Sequence, residues 1–180
     1  SDSFAGTYSA FTLDNKYVIT TSGRRVLLWE TASGVNFATL NCKEYIVSAD
    51  ISPSSGTVYL ADIKGEINKL DFATGNMEPL PFKHRSNVRF IKVSPDGKLM
   101  VTVGDGVAQV WNMDSGTPAG ELILDAIRAD FSPNGNKLLI VTTKYKVNEI
   151  DLDTGERRNL DNIPKAAIAV YSKCGNYIAN

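Results

Sequence analysis

The residues of this chain best suited to covalent chemistry are His84, Thr102 and Asp105, the single histidine followed downstream by a hydroxyl and a carboxylate. A hydroxyl, an imidazole that takes its proton and a carboxylate that orients the imidazole make a nucleophilic triad. Metal chemistry has less to draw on, because zinc and iron sites want clusters of His, Cys or carboxylate. Here stand one His and two separated cysteines, Cys42 and Cys174. Asp14, Asp71, Asp96, Asp114, Asp151 and Asp153 offer the oxygen ligands that calcium takes, but they recur at matched turn positions, where Asp more often binds nearby backbone. No G-x-x-x-x-G-K-S/T run is present, and Gly104-Asp105-Gly106 falls between strands, so a phosphate loop has no support. Neither a metal nor a cofactor is expected.

The elements that must position these groups are set by an internal repeat. Trp29, Leu70, Trp111 and Ile150 are each followed by a Thr/Ser-Gly pair ending at Gly34, Gly75, Gly116 and Gly155. The period is about 40 residues, the mark of one small unit stacked until it buries a shared core. A second series runs in register through Leu13-Asp14-Asn15, Ser52 to Gly56, Ser94-Pro95-Asp96-Gly97, Ser132-Pro133-Asn134-Gly135 and Ser172 to Gly175. These are tight turns: Pro presets φ, Asp or Asn caps its own backbone, and Gly takes the left-handed position.

Short apolar runs flank each turn. Before them stand Tyr8, Phe11 and Leu13; Ile46, Ala49 and Ile51; Val88, Ile91 and Val93; Ala126, Ala129 and Phe131; and Ala166, Ala169 and Tyr171. After them come the β-rich stretches 17–21, 57–61, 99–103 and 137–142, then a third run in which Val26, Ile67, Ala108 and Val147 precede the Trp/Leu/Ile position by one turn of the pattern. Outer fourth strands are expected over 36–40, 77–80, 118–122 and 157–160. Nothing has a 3.6-residue period long enough for a helix, so the chain reads as all-β, with four antiparallel strands per unit, a propeller blade. The units run approximately 5–42, 43–83, 84–123 and 124–162, with a partial one over 163–180.

Leu28-Trp29-Glu30, Val110-Trp111-Asn112 and Ser94-Pro95-Asp96-Gly97 resemble the WD40-repeat β-propeller family. The third unit is the nearest match, with His84 four residues before Val88, although Lys83 stands where the family has Gly, and with Asp105 in the turn before the strand ending at Trp111. Elsewhere the pattern departs: Gly23-Arg24, Lys64-Gly65 and Lys144-Tyr145 replace the turn Asp, and Leu70 and Ile150 replace Trp. Val58-Tyr59-Leu60-Ala61-Asp62 resembles the YVTN-type repeat instead.

The WD40 resemblance implies that His84, Thr102, Asp105 and Trp111 form a hydrogen-bonded network inside one blade, a structural role in place of the triad. It implies a ring of six to eight blades, of which about four and a half are present, so the chain is expected to be a portion of a larger propeller, with strands supplied by a partner as the alternative. It also implies that the turns between second and third strands, with the loops between blades, form a top rim. That rim would hold Arg24, Arg25, Lys43, Lys64, Lys83, Arg85, Lys144 and Lys146, with Tyr45 and Tyr145 as aromatic contact area, against Glu44, Asp105, Asp125 and Asp161. The bottom turns would hold Asp14, Asp71, Asp96, Asp114, Asp151, Asp153 and Glu156, offset by Lys16, Arg157 and Arg158. Cys42 would lie at the top and Cys174 at the bottom, too far apart to bond.

Length allows a core that buries roughly 70% of the unfolded surface. Net charge is −1, no long apolar run suits a membrane span, and no signal-peptide pattern or Asn-x-Ser/Thr sequon occurs. These features point to an intracellular, reducing setting. The expected function is a non-catalytic scaffold that binds other proteins within a multisubunit complex, taking an acidic or phosphorylated peptide on the basic top rim. A lactonase-like propeller enzyme or small-molecule binder using the central channel is the alternative. A nucleic-acid surface is the third reading, disfavoured because the rim lysines lack interleaved aromatics.

Overall fold

The computed structural model describes residues 8–71, 74–163 and 165–179. Residues 5–7 of the first expected unit, and Asn180 of the last, lie outside them. The first blade pairs β1 (Ser9–Phe11), β2 (Tyr17–Ser22), β3 (Arg25–Glu30) and β4 (Asn36–Asn41) in chain order. The second holds β5 (Ile46–Ile51), β6 (Val58–Asp62), β7 (Glu66–Leu70) and β8 (Met77–Lys83). In the third, β9 (Phe90–Val93), β10 (Leu99–Gly104), β11 (Val107–Asn112) and β12 (Ile123–Leu124) follow the same order, as do β13 (Ala126–Phe131), β14 (Lys137–Thr142), β15 (Val147–Asp151) and β16 (Arg157–Asn159) in the fourth. A two-stranded fifth sheet pairs β17 (Val170–Tyr171) with β18 (Ile178–Ala179). All ladders are antiparallel.

The turns explain why the strands meet in register. Gly97 and Gly135 have φ of 77° and 79°, a region that costs a side chain dearly, and Asn15 takes the same role at 56°. The Ser94 hydroxyl accepts the Leu99 N–H at 2.9 Å and Ser132 accepts that of Lys137 at 2.9 Å, so each turn also anchors the strand after it. Asp96 accepts from the Ser94 hydroxyl and the Lys98 N–H, and Asp14 accepts from Thr12 and the Lys16 N–H. Asp151 accepts the Asp153 and Thr154 N–H groups, and Asp71 accepts from the Thr74 hydroxyl. Asp114 and Asp153 differ: their main-chain N–H groups donate to the side chains of Asn112 and Asp151.

Alternation along the strands aims the apolar set into the seams between blades. Val26, Ile67, Ala108 and Val147 are at most 1% exposed. One apolar cluster joins Leu28 and Ile19 of the first blade to Leu60 of the second, and another joins Val110 of the third to Leu138 of the fourth. Burial of this kind contributes roughly 25 cal/mol per Å².

Two expectations fail locally. Phe11 and Leu13 are 58% and 54% exposed, because β1 belongs to the first blade and the described chain places no blade against that side of it. The outer strand of the third blade is β12, not 118–122; Pro118 makes only an isolated bridge to Trp111. Between them Gly120 has φ 108° and the chain leaves the ladder, while the Gln109 amide donates to the Gly120 and Val110 carbonyls at 3.1 and 3.0 Å in its place.

Candidate functional site

His84 is the last residue before the loop entering the third blade, and Thr102 faces it from the middle of β10. The indole N–H of Trp111 donates to Thr102 Oγ1 at 2.9 Å, and His84 Nδ1 lies 2.8 Å from the same oxygen. The other imidazole nitrogen, Nε2, is 3.4 Å from the Gly104 carbonyl. A carbonyl only accepts, so Nε2 carries the proton, Nδ1 accepts from the Thr102 hydroxyl, and the ring is neutral. Burial pushes the His84 pKa below its ordinary value, against smaller opposing effects from the Gly104 carbonyl and Asp105.

Asp105 is placed differently from the expectation. It is exposed, sits at φ 48° in the β10–β11 turn, and acts on His84 through its field while the Gly104 carbonyl takes the imidazole N–H. A Cβ at Gly104 would overlap the Asn87 carbonyl and crowd the imidazole, so the strand must carry Gly there. Phe82 of β8 stacks on Trp111 with centroids 4.8 Å apart, fixing the network against the preceding blade. With Thr102 0% and His84 2% exposed, no substrate reaches the hydroxyl. The chemistry left to this cluster is to satisfy its own polar groups and stiffen the blade. Trp29 repeats half of it, donating to Thr20 Oγ1 at 2.8 Å; the equal spacing of Trp29 from Thr20 and Trp111 from Thr102 is a signal that marks Thr20.

The top rim is built by main-chain stitches. Ile46 N–H donates to the Gly23 carbonyl, Ile63 to Tyr45, His84 to Gly65, Ala126 to Gly106 and Ala166 to Tyr145, at 2.8 to 3.1 Å. Each stitch pins a second-to-third-strand turn to an interblade loop, so the side chains they carry share one end of the structure.

The ten expected rim residues divide into two sets. Arg24 lies with its guanidinium 4.8 Å over the Tyr45 ring. Lys64 pairs with Glu44 at 2.7 Å and Lys83 with Glu66 at 3.7 Å, which removes two cations from the free set. Glu66 was not among the acids expected at the rim. The hydrogen bond from Lys64 holds the Glu44 carboxyl below its ordinary value. Arg25, Lys43, Arg85, Lys144 and Lys146 are exposed, and among the described residues none of them forms an ion pair. Tyr145, 49% exposed, holds φ 59°, a conformation that is strained for a bulky side chain.

Two cations escaped the sequence reading because they sit on or beside inner strands. Arg89 and Arg128 line a cavity of about 380 Å³ with Gly104, Asp105 and Ala167 at the same end. A bulge at Ile127 shifts the register of β13, and the Arg128 guanidinium lies 4.8 Å from the Phe90 ring centroid. Below them, Asp50 accepts the Val93 N–H and Asp130 the Tyr171 N–H, each from the next blade. Burial raises the Asp130 carboxyl pKa, opposed by the Tyr171 N–H and Lys92.

Four four-stranded antiparallel sheets and the start of a fifth, packed seam to seam around their first strands, define a β-propeller segment. Residues 79–112 match the WD domain, G-beta repeat, and constitute a WD40 repeat. The match begins in β8, the outer strand of one blade, and ends with β11, the third strand of the next. Comparison with curated proteins gives no match. Among solved structures, the chain is similar to Kuenenia stuttgartiensis hydrazine synthase with a TM-score of 0.77 and 18% identity, over 99% of this chain and 56% of that one. That likeness is one of fold, and the chain spans little more than half of the larger structure.

Proposed function

We propose that this propeller segment is a non-catalytic protein-interaction scaffold whose top rim takes an acidic or phosphorylated segment of a partner within a multisubunit complex. The observation that carries the reading is the set of exposed cations without ion pairs, Arg25, Lys43, Arg85, Lys144 and Lys146, held at one end by the main-chain stitches. Arg89 and Arg128 extend the positive field into the adjoining cavity. Such a field steers an anionic segment, and guanidinium groups pair with carboxylate or phosphate in a fixed geometry. Tyr45 and Tyr145 add aromatic area, and the backbone strain at Tyr145 fits a position retained for contact rather than for folding. The burial of His84 and Thr102 supports a structural network over a catalytic one, and two free thiols support a reducing, intracellular setting.

The test is affinity capture with cross-linking mass spectrometry on the full-length protein, beside a variant with Arg24, Arg25, Lys144 and Lys146 reversed to Glu. Cross-links from Lys43, Lys64, Lys83 or Lys144 to an acidic segment, lost in the variant without a lower melting temperature, are expected. Capture that is unchanged by the reversal removes the rim from the function.

A further inference from the structure

The outer strand of a blade presents a free edge, and three of the four complete blades guard theirs. In β8 stand Pro79 and Pro81 beside charged Glu78 and Lys83, β12 has only two residues, and β16 has three, with Arg157 and Arg158. Prolines, charges and short length are how edges avoid pairing with another chain. β4 has none of these. Its six residues, Asn36 to Asn41, contain no proline and no charge, and four of them are exposed.

Its backbone is aimed for pairing. Cys42 N–H donates to the Arg24 carbonyl at 2.7 Å, and the register sets Thr39 against Leu27 and Asn41 against Arg25. Hydrogen bonding alternates along an antiparallel ladder, so the amides and carbonyls of Thr39 and Asn41 point away from β3 to the open edge. Beside that edge Phe37 is 66% exposed and Val35 61%, with the Phe37 ring 5.2 Å from that of Tyr17. Further blades in a ring would not cover this surface, because the outer strand faces away from the axis.

We infer that two copies of the protein associate through antiparallel pairing of β4 with itself. A two-fold axis through Thr39 sets Thr39 against Thr39, Phe37 against Asn41 and Ala38 against Leu40, so every opposed pair is neutral. Of the four outer strands, only β4 can meet its own copy over six residues without charge or proline in the ladder.

Sedimentation velocity on the full-length protein tests this, with Thr39→Pro and Thr39→Lys alongside. Thr39→Pro deletes an N–H that faces the open edge, leaving the bonds to β3 in place, and Thr39→Lys puts two like charges together at the axis. The wild type is expected to dimerise with concentration, and each variant to weaken dimerisation by about tenfold or more with an unchanged melting temperature. If Thr39→Pro unfolds, Thr39→Lys alone decides. A wild type that stays monomeric at ~100 μM, including one that instead takes up an extended strand of another protein, overturns the inference. So does a dimer that both folded variants leave intact.

Discussion

Asp50 accepts the main-chain N–H of Val93 at 2.7 Å, tying the innermost strand of one blade to that of the next. The same carboxylate receives Lys92 Nζ at 3.2 Å and the Tyr8 hydroxyl at 3.3 Å, so it joins three successive blades while 4% exposed. Burial, with Asp50 beside it, pushes the Tyr8 hydroxyl pKa well above the ordinary tyrosine value.

Replacing Asp50 by Ala is therefore expected to cost about 2–4 kcal/mol, since it leaves the Val93 N–H and Lys92 without their acceptor in a dry seam. Asp50→Asn keeps one acceptor and loses the charge attraction, for about half that cost. Urea unfolding measures both. A loss under about 0.5 kcal/mol for Asp50→Ala would mean that the seam holds through its apolar contacts alone.

Thr102→Val removes the acceptor of the Trp111 indole and the donor to His84 together, with a predicted loss of about 2–3 kcal/mol. Thr20→Val in the first blade, where only the Trp29 bond is lost and the site is part-buried, should cost about 1 kcal/mol. Thr102→Ser retains the hydroxyl and should recover most of the difference. Equal losses for Thr20→Val and Thr102→Val would show that the imidazole adds nothing to the network.

His84 gives the fold a pH dependence of defined sign. Its folded pKa lies below the ordinary histidine value of 6.5, so in acid the unfolded chain takes up the proton first. The stability it contributes is complete above pH 6.5 and falls as the pH drops below that value toward the folded pKa. Melting curves from pH 7.5 to 5 should slope down for the wild type and lie flatter for His84→Gln. An identical slope in both would move the effect to other groups.

The two thiols should differ in reactivity. Cys42 is buried 3.9 Å from the Met77 sulfur, and burial raises its pKa, while Cys174 is exposed and the Ser172 hydroxyl beside it lowers its own. A thiol reagent should titrate Cys174 rapidly in the native protein and Cys42 only on unfolding. Fast labelling of Cys42 would show that the seam beneath β4 opens readily.

Much of this architecture is legible in the residues because its repeat is written in turns, whose demands are local. A Gly in the left-handed region and a Ser whose hydroxyl anchors the next strand need nothing from the rest of the chain. The outer strand of the third blade was misplaced because its ladder is replaced by the Gln109 side chain, which reads as an ordinary strand residue. Asp50 and Asp130 were passed over for a related reason: a carboxylate within a strand looks solvent-facing until a neighbouring blade supplies its donor. At the rim, charge could be assigned to one end, but the pairing of Lys83 with Glu66 depends on which side of a tight turn each side chain leaves. Exposure of Phe11 follows from what lies beside the first blade, which strand patterning does not encode.

The limits of the matched repeat, residues 79–112, bear on how such a chain can be cut and rejoined. One sequence unit takes the last strand of one sheet and the first three of its neighbour, as overlapping tiles share a course. Excising it would strip an edge from β7 and orphan β12, damaging two sheets to remove one period. Shuffling, insertion or splitting of this protein should therefore respect the loops after β4, β8 and β12, where a break leaves every sheet whole.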